Sequence, residues 1–250
     1  MPRLMRALAR RLLAVERPST YYLPWLTRPG LECALIVTNV ESRFTAAGGP
    51  CPVRVVQYDA DGTTVRGYDF TLRDSTEAVE IPLQPTAAGC GFVTVSGVHS
   101  DLYVTLSNGE TYSATHGRGE FVERYPAVAR AGLALVGGLL ALIGRTIPAF
   151  ARDQYVYADD ETRSHVLLLN LSNVVNRIRV TVRSEQRTLG VALYALPAMG
   201  ARLVDVAALG PVDAGAVRRV RLTGNAWFNL YLVGVGPRDL AGPLSLMHVK

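Results

Sequence analysis

The sequence predicts a mainly β protein built from two similar halves. Three observations carry this. Apolar residues recur with period two from residue 31 onward, turn-forming residues punctuate those runs, and the same strand motifs return in the same order. Ile178, Val180 and Val182 alternate with Arg179, Thr181 and Arg183. Leu102, Val104 and Leu106 alternate with Asp101, Tyr103 and Thr105, and Phe228, Leu230 and Leu232 with Asn229, Tyr231 and Val233. Such alternation describes strands with one buried and one wet face. Asp59-Ala60-Asp61-Gly62 and Ser107-Asn108-Gly109 read as hairpin turns, where Gly or Asn accepts positive φ.

The internal repeat joins five pairs of segments. ALIVTN ending at Asn39 matches VLLLN ending at Asn170, and VRVV from Val53 matches IRVTV from Ile178. FTL at Phe70–Leu72 matches YAL at Tyr194–Leu196, and DLYVTL from Asp101 matches NLYLVG from Asn229. SATH ending at His116 matches SLMH ending at His248. Each half offers about seven strands. In the first they fall near 31–39, 53–58, 64–72, 77–83, 91–96, 101–107 and 111–116. In the second they fall near 164–170, 177–183, 188–196, 201–207, 217–223, 228–234 and 244–249.

An apolar strand ending in Asn, an alternating strand, a turn and a further strand resemble the pattern of bacterial immunoglobulin-like and fibronectin-III-like modules. The resemblance covers residues 31–121 and 160–250 and is one of pattern. It implies two tandem Ig-like antiparallel β-sandwiches. The Cys–Trp–Cys core of antibody domains is absent. The expected organisation is a basic helix and linker at 1–30, a first sandwich at 31–125, an apolar helical connector at 126–159 and a second sandwich at 160–250.

The N-terminal segment carries the charge. Residues 1–30 hold six arginines and one acid. Taking these from the chain's 26 basic and 21 acidic residues leaves twenty of each in the remainder, which is neutral. On a helical wheel Leu4, Met5, Leu8, Leu12 and Val15 share one arc, and Arg3, Arg6, Arg10 and Arg17 lie opposite. Leu13 and Arg11 break the pattern, Pro18 ends the helix, and residues 18–30 read as a connecting segment. Such a helix can lie on an anionic membrane, dock on a partner protein, act as a presequence or cover its own core. The arginines recur to position 11 with no apolar run after them, so a secretory signal is not expected. Nucleic acid is not expected either, because the basic cluster lacks interleaved aromatics.

Residues 126–152 form the second apolar element. Ala131 to Gly144 is uncharged and bounded by Arg130 and Arg145. As a helix this stretch reaches about 21 Å, short of a hydrocarbon core of about 30 Å. It admits three readings: a helix between the halves, an interfacial membrane element, or a contact with another subunit.

Catalytic signatures are absent from the chain. The four histidines, His99, His116, His165 and His248, show no zinc spacing, and no Walker, G-x-G-x-x-G or G-x-S-x-G motif occurs. Asp59, Asp61 and Gly62 resemble the start of a calcium loop without its closing acid and read as a turn. Cys33, Cys51 and Cys90, an odd count, are expected as reduced thiols. The glycine-rich run from Thr115 to Glu120 is a candidate ligand loop, with Tyr112, His116 and Arg118 near it. No cofactor or metal is expected. The expectation is a non-enzymatic adaptor or accessory subunit, cytoplasmic and peripheral, held at a membrane surface or membrane-bound complex. Arg3, Leu4, Arg6, Leu8, Arg10, Arg11, Leu12, Arg130 and Arg145 would make that contact, and the protein could be oligomeric. The alternative is a carbohydrate- or small-ligand-binding protein.

Overall fold

The computed structural model describes residues 14–40, 50–98, 102–158, 163–185, 187–210, 216–236 and 239–248. Its strands are β1 (Ser19–Leu26), β2 (Glu32–Thr38), β3 (Cys51–Asp59), β4 (Thr64–Leu72), β5 (Ala78–Pro82), β6 (Cys90–Ser96), β7 (Leu102–Ser107), β8 (Tyr112–His116) and β9 (Arg118–Phe121). Helix α1 (Ala127–Leu142) follows. Then come β10 (Phe150–Ala158), β11 (Arg163–Asn170), β12 (Asn176–Arg183), β13 (Thr188–Leu196), β14 (Ala201–Asp205), β15 (Ala216–Gly224), β16 (Phe228–Gly236) and β17 (Asp239–His248).

Four antiparallel sheets result. The first half holds β4-β3-β6-β1-β9 and β5-β2-β7-β8, and the second holds β13-β12-β15-β10 and β14-β11-β16-β17. Apart from β9, the second half repeats the strand order of the first nine strands later. The registers repeat too. Val37 faces Leu102 as Leu168 faces Leu230, and Val53 faces Phe70 as Ile178 faces Tyr194. Tyr103 faces His116 as Tyr231 faces His248. The repeat seen in the sequence is therefore a repeat of topology and of cross-strand pairing.

Each half has eight equivalent strands rather than seven, because β1 and β10 correspond. Residues 18–30 are not a connecting segment: β1 runs between β6 and β9, with Tyr22, Leu23, Trp25 and Leu26 fully buried. Pro24, which reads as a strand breaker, is tolerated for a specific reason. Strand β9 pairs only with Ser19–Tyr22, so at Pro24 that side of β1 has no ladder to supply, and the missing N–H is not needed. Residues 150–158 likewise leave the apolar connector and pair along their whole length with β15.

The expected N-terminal helix falls mostly on residues 1–13, outside the described residues. Its last part, residues 14–18, is not helical. Glu16 instead forms an antiparallel bridge with Arg124.

Two apolar clusters fill the interior. One joins both sheets of the second half through Val166, Leu168, Ile178, Val180, Leu222 and Leu230. The other fills the first half and continues into Leu167, Leu169, Tyr231 and Val233 of the second. The β14-β11-β16-β17 sheet is thus covered on both faces, which explains the unbroken apolar run of β11. The expected wet face of β16 is corrected by the same contact: Asn229, Tyr231 and Val233 are buried, and Leu232 is half-buried. The alternating positions of β12 and β15 carry Arg179, Arg219 and Arg221: Arg221 is exposed, while Arg179 and Arg219 are half-buried. The halves meet directly, so α1 is not a helix packed between them.

Candidate functional site

Helix α1 starts after Pro126 and ends where the Gly144 and Arg145 N–H groups donate to the Ala141 and Leu140 carbonyls at 3.0 and 2.9 Å. Only Gly137 is buried. Val128, Leu135, Leu139 and Leu142 are 58 %, 67 %, 60 % and 84 % exposed. Their spacing of seven, four and three residues aligns them along one side of the helix, with Gly132 among them.

Both ends of α1 are tied to one short stretch of the second half. The Tyr125 N–H donates to Asn173 Oδ1 at 2.8 Å, and Asn173 Nδ2 donates to the Tyr125 carbonyl at 3.1 Å. Beyond the far end, Thr146 Oγ1 donates to the Arg177 carbonyl at 2.6 Å. Between them a Cβ on Gly137 would lie 3.3 Å from Arg177 Nη1, so the helix rests on that side chain. The helix therefore lies along the body with its apolar stripe outward. No helix among the described residues is long and apolar enough to cross a membrane.

The N-terminal segment is rooted at the same place. Glu16 and Arg124 exchange backbone hydrogen bonds of 3.0 and 2.8 Å, three residues before α1 begins. Arg17 lies 5.1 Å from the Phe121 ring centre, Phe121 stacks on Trp227 at 5.1 Å, and Phe150 meets Trp227 edge-on at 5.4 Å. This aromatic cluster fixes β9, β10 and the start of β16 around the root. Arg3, Leu4, Arg6, Leu8, Arg10, Arg11 and Leu12 lie outside the described residues. Arg130 and Arg145 are exposed, one in the first turn of α1 and one just past its end, and no acid occurs between Arg124 and Arg152.

Tyr112, His116 and Arg118 are not gathered on a loop. The Thr115–Glu120 run is strand on both sides of Gly117, as the chain passes from β8 to β9. Tyr112 and His116 share the outer side of β8, facing Ser107 and Tyr103 across β7. Arg118 pairs with Tyr22 in the other sheet.

Tyr112 does border a cleft of about 940 Å³, which sequence reasoning missed. The floor is the outer face of β5-β2-β7-β8, and the walls are the 27–31 and 83–87 loops. Those loops carry no periodic signal, only prolines, so nothing in the sequence drew them together.

The remaining chemistry is quiet. Among the described residues no three His, Cys, Asp or Glu side chains converge to hold a metal. The Asp59 carboxylate accepts the Asp61 and Thr63 N–H groups at 3.0 and 2.8 Å, capping its own turn. Cys33, Cys51 and Cys90 are free thiols, and burial pushes Cys33 up to about 12.

No protein-family model and no curated protein matches this chain.

Proposed function

We propose that this chain is a non-enzymatic accessory protein, two Ig-like β-sandwiches held at the cytoplasmic face of an anionic membrane. Attachment runs through α1 and the basic N-terminal segment. The observation that supports it most is the outward stripe of Val128, Leu135, Leu139 and Leu142 beside the root of residues 1–13. Apolar side chains left in water cost about 25 cal/mol per Å², a cost removed when the stripe enters the headgroup–acyl boundary. Exposed Arg124, Arg130 and Arg145 surround the helix, and each cation near an anionic surface adds about 1 kcal/mol. Because both helix ends are tied to the same body, α1 would lie in the interface rather than across it.

The test is co-sedimentation with vesicles of phosphatidylglycerol and phosphatidylcholine. The intact chain should bind the anionic vesicles, less so at high salt. A chain lacking residues 1–13 and a Leu135→Glu/Leu139→Glu variant should each lose most of that binding. Equal absence of binding for all three would sink the membrane reading and leave a protein partner on the same surface.

A further inference from the structure

The outer face of the β5-β2-β7-β8 sheet forms the floor of the cleft, on elements other than α1. Glu32 and Ala34 of β2, Glu80 and Pro82 of β5, and Thr105 and Ser107 of β7 point to one side, as their pairings require. The loop with Thr27, Arg28 and Pro29 and the loop with Pro85 and Thr86 rise over this floor, and Tyr112 stands at its edge. We propose that the cleft binds a short neutral glycan, with Tyr112 as the stacking platform and Glu32 and Glu80 as acceptors for sugar hydroxyls.

Four features select that chemistry. First, the cleft disfavours anions. Its two carboxylates lie on the floor, and its one guanidinium, Arg28, is held in the wall by the Thr27 and Ala88 carbonyls at 3.1 and 3.3 Å. Second, the carboxylates do not converge on a small cation. Glu80 faces Ile36, four residues along β2 from Glu32, a separation of about 13 Å at the strand rise. An elongated ligand with hydroxyl donors at both ends fits that spacing. Third, the lining is rich in hydroxyl-bearing residues. Thr27 and Thr86 stand in the walls, and Thr105 and Ser107 on the floor. Hydroxyls both donate and accept, as those of a sugar do. Fourth, Tyr112 is 66 % exposed on the β8 edge, and Pro29, Pro82 and Pro85 also line the cleft, so the apolar faces of sugar rings find apolar surface in it.

The test is calorimetric titration of the full chain with maltose, cellobiose, lactose and trehalose, alongside glucose and spermidine. At least one disaccharide should bind, and glucose more weakly because it cannot reach both carboxylates. Tyr112→Ala, Glu32→Gln and Glu80→Gln should each weaken binding about tenfold, the loss of one charge-assisted or stacking contact. All three positions are on the surface, and an unchanged circular dichroism spectrum would show that the variants fold. Binding of none of the disaccharides overturns the proposal. So does sugar binding that survives Tyr112→Ala, or binding of spermidine alone. The vesicle result is unaffected by these variants, so the two proposals fail separately.

Discussion

Glu123, only 1 % exposed, accepts the Arg17 guanidinium at 2.9 Å. Its other oxygen takes the Trp227 N–H at 3.2 Å and the Tyr125 hydroxyl. Burial, then the adjacent carboxylate, push the Tyr125 phenol up, so it stays protonated and donates. One buried carboxylate thus joins the chain before β1, the start of α1 and the loop before β16.

Glu123→Ala should lower the unfolding free energy by about 2–4 kcal/mol, because a buried backbone donor and a phenol lose their acceptor. Glu123→Gln keeps an acceptor and should cost about half as much. Arg17→Ala should cost less than Glu123→Ala, since Arg17 is half in water. Urea unfolding of the three variants checks the order.

The duplicated register predicts matched energetics. Leu102 and Leu230 occupy equivalent positions and are 1 % and 0 % exposed. Leu102→Ala and Leu230→Ala should each cost about 2–5 kcal/mol, the usual range for a core leucine. Leu135→Gln and Leu139→Gln on α1 should stay within about 0.5 kcal/mol, since those side chains already meet water. Denaturant midpoints on all four separate core from docking surface.

The thiols should react in order of exposure. Burial raises all three, Cys33 up to about 12, while Cys51 is the most open. A raised value means less thiolate at any given pH, and the thiolate is what reacts. At mildly alkaline pH a disulfide reagent should modify Cys51 first, faster as pH rises. Cys33 should react only after unfolding. Mass spectrometry of the labelled peptides reads this out.

The strands legible in the sequence were those with one covered face. For β12 the period of two is clean because mainly one side packs inward. The periodicity of β1 was hidden by Pro24 and by burial on both faces, which leaves no polar alternation. Tyr231 and Val233 read as a wet face because the sequence does not reveal that the first half covers them. Its apolar character makes α1 visible, although Arg130 lies inside its first turn rather than before it. Its outward stripe was not legible, since a uniformly apolar run does not say which side packs. The cleft depends on two loops far apart in the chain, and no spacing rule links Thr27 to Thr86.

The contact between the halves can be tested at Gly62. This residue closes the β3–β4 turn at φ +77°, and a Cβ there would lie 1.9 Å from the Ala198 carbonyl oxygen of the second half. The Ala201 N–H donates to the Ala60 carbonyl at 3.0 Å, so two turns, one from each half, seat against each other. Gly109 closes the β7–β8 turn at φ +85° with nothing within 4 Å of the same position. Both Gly→Ala changes incur the left-handed strain of about 1–2 kcal/mol. Only Gly62→Ala also forces two backbones apart, and should lose about 2–4 kcal/mol in total. The difference between the two variants isolates the seat between the halves. Equal losses for Gly62→Ala and Gly109→Ala would mean that the two turns do not meet in solution and that the shared core around Tyr231 is open there.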